Sequence, residues 1–190
     1  LKMERSKVII VEGPQGAGKT TLTNRLREVI TSTNLIRMSG VKDKTETGKE
    51  KSITVHKQQL IAMNMTNNCD INYVLDRSFL SEFLYANLGF KSYSYTEEEL
   101  EKDFDTLLKQ LNACFDVLLV FLEPSDEVLE TRLQRDKTAY HPFSLESSIK
   151  QREFLKEIKK MKILKDFKII TYTDETTENI AKSIVERTVD

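Results

Sequence analysis

Eight consecutive residues form the most informative motif of the chain: Gly13-Pro14-Gln15-Gly16-Ala17-Gly18-Lys19-Thr20. Its spacing fits G-x-x-x-x-G-K-[ST], the pattern of a loop that wraps around phosphate groups. An apolar run at 8–11 precedes the loop, and a segment with helical periodicity at 19–31 follows it. Glycines let successive backbone amides curl around phosphate oxygens, and the helix start adds partial positive charge. The stretch therefore predicts a nucleotide-binding strand, loop and helix.

Within this loop, the side chains that the pattern fixes have chemical tasks. Lys19 brings positive charge to the β and γ phosphates, and the Thr20 hydroxyl is a ligand for Mg²⁺. The other expected contacts with the bound nucleotide come from Gly13, Pro14, Gln15, Gly16, Ala17, Gly18 and Thr21.

Short apolar runs alternate with longer segments of helical periodicity along the whole chain. The runs lie at 8–11, 35–38, 73–75, 117–122 and 167–170, and helices are expected at 19–31, 51–68 and 78–88. The sequence Thr96-Glu97-Glu98-Glu99 is a capping box that begins a further helix, and another begins after Pro124. This alternation predicts a three-layer α/β fold in which helices cover both faces of a parallel sheet. Ligands are then expected at the carboxyl ends of the strands.

Composition narrows the class of protein further. The chain has 190 residues, which suits a single domain over 1–190, and its 29 basic and 30 acidic residues leave a net charge of −1. Because no overall basic field exists, neither nucleic acid nor a membrane is an expected partner. The two cysteines, Cys69 and Cys114, form no disulfide pattern, and no signal-like segment begins the chain. We therefore expect a cytoplasmic protein.

The loop alone is compatible with a switch GTPase, a motor-type ATPase or a small-molecule kinase. The chain contains no guanine-reading Asn-Lys-x-Asp run, and it is short for an AAA-like ATPase. These two observations favour a kinase.

Three segments resemble the thymidylate kinases: the loop with its flanks, the segment Leu75-Asp76-Arg77-Ser78 continuing to Ala86, and Phe121-Leu122-Glu123-Pro124 followed by Arg132 and Arg135. The Arg77-Ser78 pair also resembles the deoxynucleoside kinases. The resemblance implies a P-loop kinase fold with a five-stranded parallel sheet, ATP as donor, and a short arginine-bearing lid at about 132–145. It also makes a homodimer plausible.

The resemblance gives roles to individual residues as well. Asp76 would serve the metal or the acceptor, Arg77 would bind phosphate, and Arg37 and Tyr85 would lie on the acceptor side. An alternative is that Asp76-Arg77 only caps the next helix. Arg132 and Arg135 would close over the phosphates, or else form an exposed, salt-bridged helix end.

Glu12 ends the first strand and has two possible roles. By the resemblance to deoxynucleoside kinases it is a candidate base for an acceptor hydroxyl, whereas a monophosphate acceptor is already ionised and needs no base. It is otherwise a plain strand-end carboxylate.

The chain departs from the thymidylate kinase pattern at several positions. Arg37-Met38-Ser39-Gly40 stands where Arg-Glu-Pro-Gly is typical, and 51–70 contains neither arginine nor Phe, Tyr or Trp. That segment offers Gln58 and Gln59 instead, whose amides either pair with a base edge or are solvated.

These observations predict an ATP- and Mg²⁺-dependent enzyme that phosphorylates a deoxynucleoside monophosphate. The alternatives are a deoxynucleoside kinase, a polynucleotide 5′-kinase and a regulatory module that holds a nucleotide without turnover.

Overall fold

The computed structural model describes residues 4–38, 40–135 and 144–188. Its strands are β1 (Lys7–Glu12), β2 (Thr33–Arg37), β3 (Asn72–Asp76), β4 (Asp116–Leu122) and β5 (Lys168–Tyr172). Its helices are α1 (Lys19–Val29), α2 (Gly48–Met65), α3 (Phe79–Asn87), α4 (Glu97–Cys114), α5 (Asp126–Arg135), α6 (Leu145–Ile158) and α7 (Thr177–Thr188), with a 3₁₀ turn at Lys162–Leu164.

The five strands form one parallel sheet in the order β2-β3-β1-β4-β5. The register places Asp76 opposite Val11 on one side and opposite Arg37 on the other. The carboxyl ends of the first three strands therefore meet at one edge of the sheet. The predicted three-layer α/β fold with a five-stranded parallel sheet is confirmed.

Each face of the sheet has its own apolar core, and β1 contributes side chains to both cores. Val8 and Ile10 pack into the core on the side of α2, α3, α4 and α6, whereas Ile9 and Val11 pack into the core with α1 and α7. All four side chains are at most 1% exposed. Because alternate side chains of a strand point to opposite faces, a strand covered on both sides needs the unbroken apolar run seen in the sequence.

Helix starts follow the local capping chemistry. The predicted capping box is present at α4, where the Thr96 hydroxyl accepts from the Glu99 amide at 3.1 Å and the Glu99 carboxylate accepts from the Thr96 amide at 3.0 Å. Helix α2 begins at Gly48, three residues before the predicted start, because a turn from Thr45 to Gly48 leads directly into it.

Only part of the predicted lid lies within the described residues. Arg132 and Arg135 belong to the last turn of α5, and α6 begins at Leu145, while residues 136–143 lie outside the described range. Among the helices of the described ranges, none combines the length and apolar character needed to cross a membrane.

Candidate active site

The loop between β1 and α1 depends on two of its glycines. A Cβ atom at Gly13 would lie 3.0 Å from Ala17 Cβ and 3.1 Å from Leu122 Cβ, which is tighter than most such contacts and would require the neighbours to move by a few tenths of an ångström. Gly18 is the N-cap of α1 and has a φ of 88°, in the left-handed region that glycine adopts without strain. The loop is therefore packed tightly against the end of β4 and turns sharply into the helix.

Lys19 lies at the first position of α1, and its side chain folds back over the loop. Its Nζ donates to the carbonyl oxygens of Gly13 at 2.7 Å and Pro14 at 2.9 Å. Burial lowers the pKa of Lys19 to about 7, and the nearby Arg77 charge acts in the same direction. An anion beside the ammonium would oppose both effects, so this position favours an anionic ligand such as phosphate.

Thr20 and Asp76 join the loop to the end of β3. The Thr20 hydroxyl donates to Asp76 Oδ2 at 2.9 Å, and Arg37 Nε lies 3.9 Å from the same oxygen. Arg37 also donates to Asn24 of α1. A hydroxyl and a carboxylate are the oxygen ligands that Mg²⁺ accepts together with phosphate and water. The donor set therefore fits Mg²⁺, although the described ranges contain no group of three or more His, Cys, Asp or Glu side chains that could hold a metal alone.

Arg77 follows Asp76 in a strained backbone conformation. Its φ is 75°, and its amide donates to the Val11 carbonyl at 3.1 Å, which ties the turn after β3 to β1. The guanidinium lies 5.2 Å from the centre of the Tyr85 ring, and burial raises the pKa of that tyrosine. Ser78, and not Asp76, caps α3, because its hydroxyl accepts from the Leu80 amide. The alternative that Asp76-Arg77 caps this helix is wrong.

A cleft of about 500 Å³ opens over the loop and is lined by half of the predicted site residues. Arg37, Asp76 and Tyr85 are not among its lining residues. Arg132 of α5 reaches it from the far side and donates to the Gly16 carbonyl at 2.9 Å. The cleft is lined by Gln15, Gly16, Gly18, Lys19, Thr20, Thr21, Arg77, Arg132, Arg135 and Thr177. Thr177, the first residue of α7, was not predicted; its signal was its place just after the last strand, at the carboxyl edge of the sheet.

Glu12 is buried and does not line this cleft. Glu12 is only 1% exposed. Its two carboxylate oxygens accept hydrogen bonds from the hydroxyls of Ser78 and Ser81, each at 2.6 Å. Burial raises the pKa of Glu12, while these two hydrogen bonds oppose the increase. The contacts join the end of β1 to the first turn of α3. The role of Glu12 as a base stays a prediction.

The two glutamines predicted for base recognition do not line the cleft. Gln58 is exposed and Gln59 is half-buried, whereas the buried side of α2 carries Ser52, His56 and Leu60. Base recognition by Gln58 and Gln59 stays a prediction that none of the contacts found in the described residues supports.

A polar cluster around the buried Glu82, beside the loop that follows β2, was missed at the sequence level. The carboxylate of Glu82, on α3, accepts from Tyr93 at 2.5 Å and from Tyr95 at 3.3 Å, and Lys91 Nζ lies 3.7 Å away. We name these four residues the Glu82 cluster. A Cβ atom at Gly40 would lie 3.4 Å from Glu82 Oε2, so the cluster borders the loop that follows β2.

The chemistry of the Glu82 cluster keeps its tyrosines protonated. Burial, reinforced by the hydrogen bond to Glu82, raises the pKa of Tyr93 to about 12, and burial raises that of Tyr95 as well. His56 lies nearby on α2, where its Nδ1 is 2.7 Å from the Ser52 carbonyl oxygen and burial lowers its pKa. The only sequence signal was the pair of tyrosines two residues apart.

Comparisons with solved structures give three informative matches. The YorR protein of Bacillus subtilis, determined in complex with phosphorylated GDP, is 22% identical, with a TM-score of 0.63 over 95% of this chain and 94% of that chain. Deoxyadenosine kinase of M. mycoides with bound dATP is 15% identical, with a TM-score of 0.60 over 96% and 100% of the two chains. The same enzyme with dCMP and dCDP gives 16% identity and a TM-score of 0.53 over 95% and 97%. The chain therefore shares the fold of these proteins.

A scan against protein-family models gives no match, and a search of curated proteins gives none either.

Proposed function

We propose that this protein transfers the γ-phosphoryl group of ATP to a nucleoside monophosphate. One observation carries the proposal: the Lys19 ammonium, the Thr20 hydroxyl and the side chains of Arg77, Arg132 and Arg135 line a single cleft at the carboxyl edge of the sheet. The same Thr20 hydroxyl donates to Asp76. Phosphoryl transfer requires positioning and neutralisation of charge more than covalent participation by the protein. This set of groups supplies both.

Lys19, Arg77, Arg132 and Arg135 are the cations that would stabilise the migrating group. A planar guanidinium binds two phosphate oxygens at once, so arginines at opposite sides of the cleft orient the donor and the acceptor. Thr20 and Asp76 would hold Mg²⁺, which neutralises charge on the donor phosphates.

Two features favour a monophosphate over a nucleoside as acceptor. Arg37 and Arg77 lie at the ends of the neighbouring strands β2 and β3, where an acceptor phosphate would meet both. A nucleoside hydroxyl would need a base, but both oxygens of Glu12 already accept from serine hydroxyls. A phosphate acceptor is already ionised, so it fits the side chains that face the cleft.

The second candidate is a deoxynucleoside kinase. It is supported by the likeness to deoxyadenosine kinase, which extends over 95–96% of this chain. In that case Asp76, the carboxylate bonded to Thr20 at the cleft, would take the acceptor proton in place of Glu12.

An acceptor panel tests both proposals. The purified chain is incubated with Mg-ATP and each nucleoside or nucleoside monophosphate, ribo and deoxy, and the products are separated and weighed by mass spectrometry. Diphosphates support the first proposal, and monophosphates formed from nucleosides support the second. The variant Lys19→Ala controls for contaminating kinases, because it removes the buried ammonium that the reaction needs. If no acceptor is phosphorylated, both proposals are wrong.

A further inference from the structure

Helix α6 binds the phosphate loop through two polar side chains that follow no recognised motif. Ser148 and Gln151 lie three residues apart, so they share one face of the helix, and both are 0% exposed. Ser148 Oγ donates to the Gln15 carbonyl at 2.8 Å. The Gln15 amide donates to Gln151 Oε1 at 2.9 Å. One helix therefore bonds both backbone polar groups of a single loop residue.

The remaining contacts of Gln151 show that it is fully satisfied there. Its Nε2 donates to Ser147 Oγ at 3.2 Å and to Gln15 Oε1 at 3.4 Å. A buried glutamine without partners would be costly, and here every partner belongs either to the loop or to the adjacent turn of α6. An apolar side chain would fill the same space without these bonds. A glutamine is therefore needed at position 151 for its hydrogen bonds to the loop, and not merely to fill space.

The neighbouring loop residue is held in the same way by α5. Arg132 donates to the Gly16 carbonyl at 2.9 Å, so two consecutive carbonyl groups are bonded by side chains that flank residues 136–143. The first amides of α1, beginning with Lys19, have no partner within the helix and are the groups that phosphate binds. Fixing the carbonyls of Gln15 and Gly16 holds the loop in the shape that presents those amides.

Helix α6 is itself anchored to α5 and α3. Arg152 donates to the Pro124 carbonyl at 2.9 Å and pairs with Asp126 at 2.6 Å, at the start of α5. The ring of Phe154 lies 6.0 Å from that of Phe83 on α3. The helix therefore contacts the loop from a position fixed at two other points.

We propose that Ser148 and Gln151 are positioning residues for the bound nucleotide phosphates. They act through the backbone of Gln15 and touch no reacting atom. Their removal loosens the loop and weakens phosphate binding, while the acceptor side is unaffected. The turnover readout of this inference rests on the proposed function, whereas its binding readout requires only that the chain binds ATP.

Two variants of the full chain test the inference. Gln151→Met keeps the volume and removes both bonds to Gln15, and Ser148→Ala removes the bond to the Gln15 carbonyl. We expect Gln151→Met to raise the dissociation constant of Mg-ATP, measured by calorimetry, by about tenfold. We expect Ser148→Ala to raise it by about threefold. The KM for ATP should rise in parallel, and the KM for the acceptor should stay within about twofold of the wild-type value.

A third variant separates positioning from loss of stability. Ile158→Val removes a buried methyl group from the same helix without touching the loop, so it lowers the unfolding midpoint and leaves ATP affinity unchanged. The inference is overturned if Gln151→Met and Ser148→Ala bind ATP as tightly as Ile158→Val does. If Gln151→Met does not fold, Ser148→Ala alone decides. Wild-type binding of ATP without turnover contradicts the proposed function only, and absence of wild-type binding overturns both.

Discussion

Replacing Glu12 with glutamine separates the two roles that the sequence left open. Glu12 accepts two hydroxyl hydrogen bonds of 2.6 Å inside the protein. Hydrogen bonds to a charged group contribute about 1.5–3 kcal/mol each, and glutamine keeps only one oxygen to accept them. Part of the loss is offset, because glutamine does not carry the desolvation cost of a buried charge. We therefore expect Glu12→Gln to lower the free energy of unfolding by about 1–3 kcal/mol.

The catalytic consequence differs sharply between the two roles. A general base contributes roughly 10²- to 10⁴-fold to the rate, whereas a residue that only joins β1 to α3 affects it through small displacements. We expect kcat of Glu12→Gln to fall less than about tenfold on the best acceptor of the panel, well short of the loss of a base. Urea unfolding followed by circular dichroism gives the stability, and product formation gives kcat.

Ser81→Ala is the matched control for this experiment. It removes one of the two hydrogen bonds but keeps the carboxylate, so a base would survive it. If Glu12 is structural, both variants lose stability and both keep most of their activity. A rate for Glu12→Gln at least about a hundredfold below that of Ser81→Ala would refute the reasoning.

Three further variants test the site, and a fourth tests the burial of His56. Lys19→Ala should weaken Mg-ATP binding by at least about a hundredfold in calorimetry, because it removes a buried cation at the phosphates, and unchanged affinity would contradict every function proposed above. Asp76→Asn should raise the Mg²⁺ concentration for half-maximal activity about tenfold, and an unchanged magnesium titration would remove Asp76 from the metal site. Arg132→Lys should lower kcat/KM for ATP about tenfold, since lysine lacks a planar group that can bond the Gly16 carbonyl and a phosphate at the same time; wild-type kinetics would show that the lid arginine is dispensable. Burial lowers the pKa of His56 below its ordinary 6.5, so the unfolded chain binds more protons and stability should fall as pH drops below 6.5. His56→Gln should flatten this dependence in urea midpoints at pH 5.5 and 7.5, and an equally steep loss in the variant would assign it to other groups.

The buried face of helix α2 could not be predicted from the sequence, and the proposed acceptor residues on this helix depended on it. Apolar residues lie on more than one side of this helix, and Val55, Ile61 and Met65 remain exposed. Its periodicity therefore did not reveal which face turns inward. Gln58 and Gln59 were predicted to bind a base through their amides, but the buried side of the helix places His56 near the Glu82 cluster.

The sequence by itself determined the strand, loop and helix around Lys19 and Thr20, and the parallel α/β fold. These features are local: glycine at two turns, an unbroken apolar run for a strand buried on both faces, and a capping box are visible within a few residues. The sequence also predicted Thr20 and, through the family resemblance, Asp76 as metal ligands, whereas the hydrogen bond between them is seen only in the structure.

Only the tertiary structure decided which side chains hold the loop from outside. Ser148 and Gln151 are 133 and 136 residues from Gln15, and Glu12 is 66 and 69 residues from the serines that surround it. Such contacts depend on how the helices pack against the sheet. The sequence does not distinguish a polar residue that will be buried from one that will be exposed to solvent. The chemistry of the phosphate loop is therefore local in sequence, while the support that gives it a fixed shape comes from distant parts of the chain.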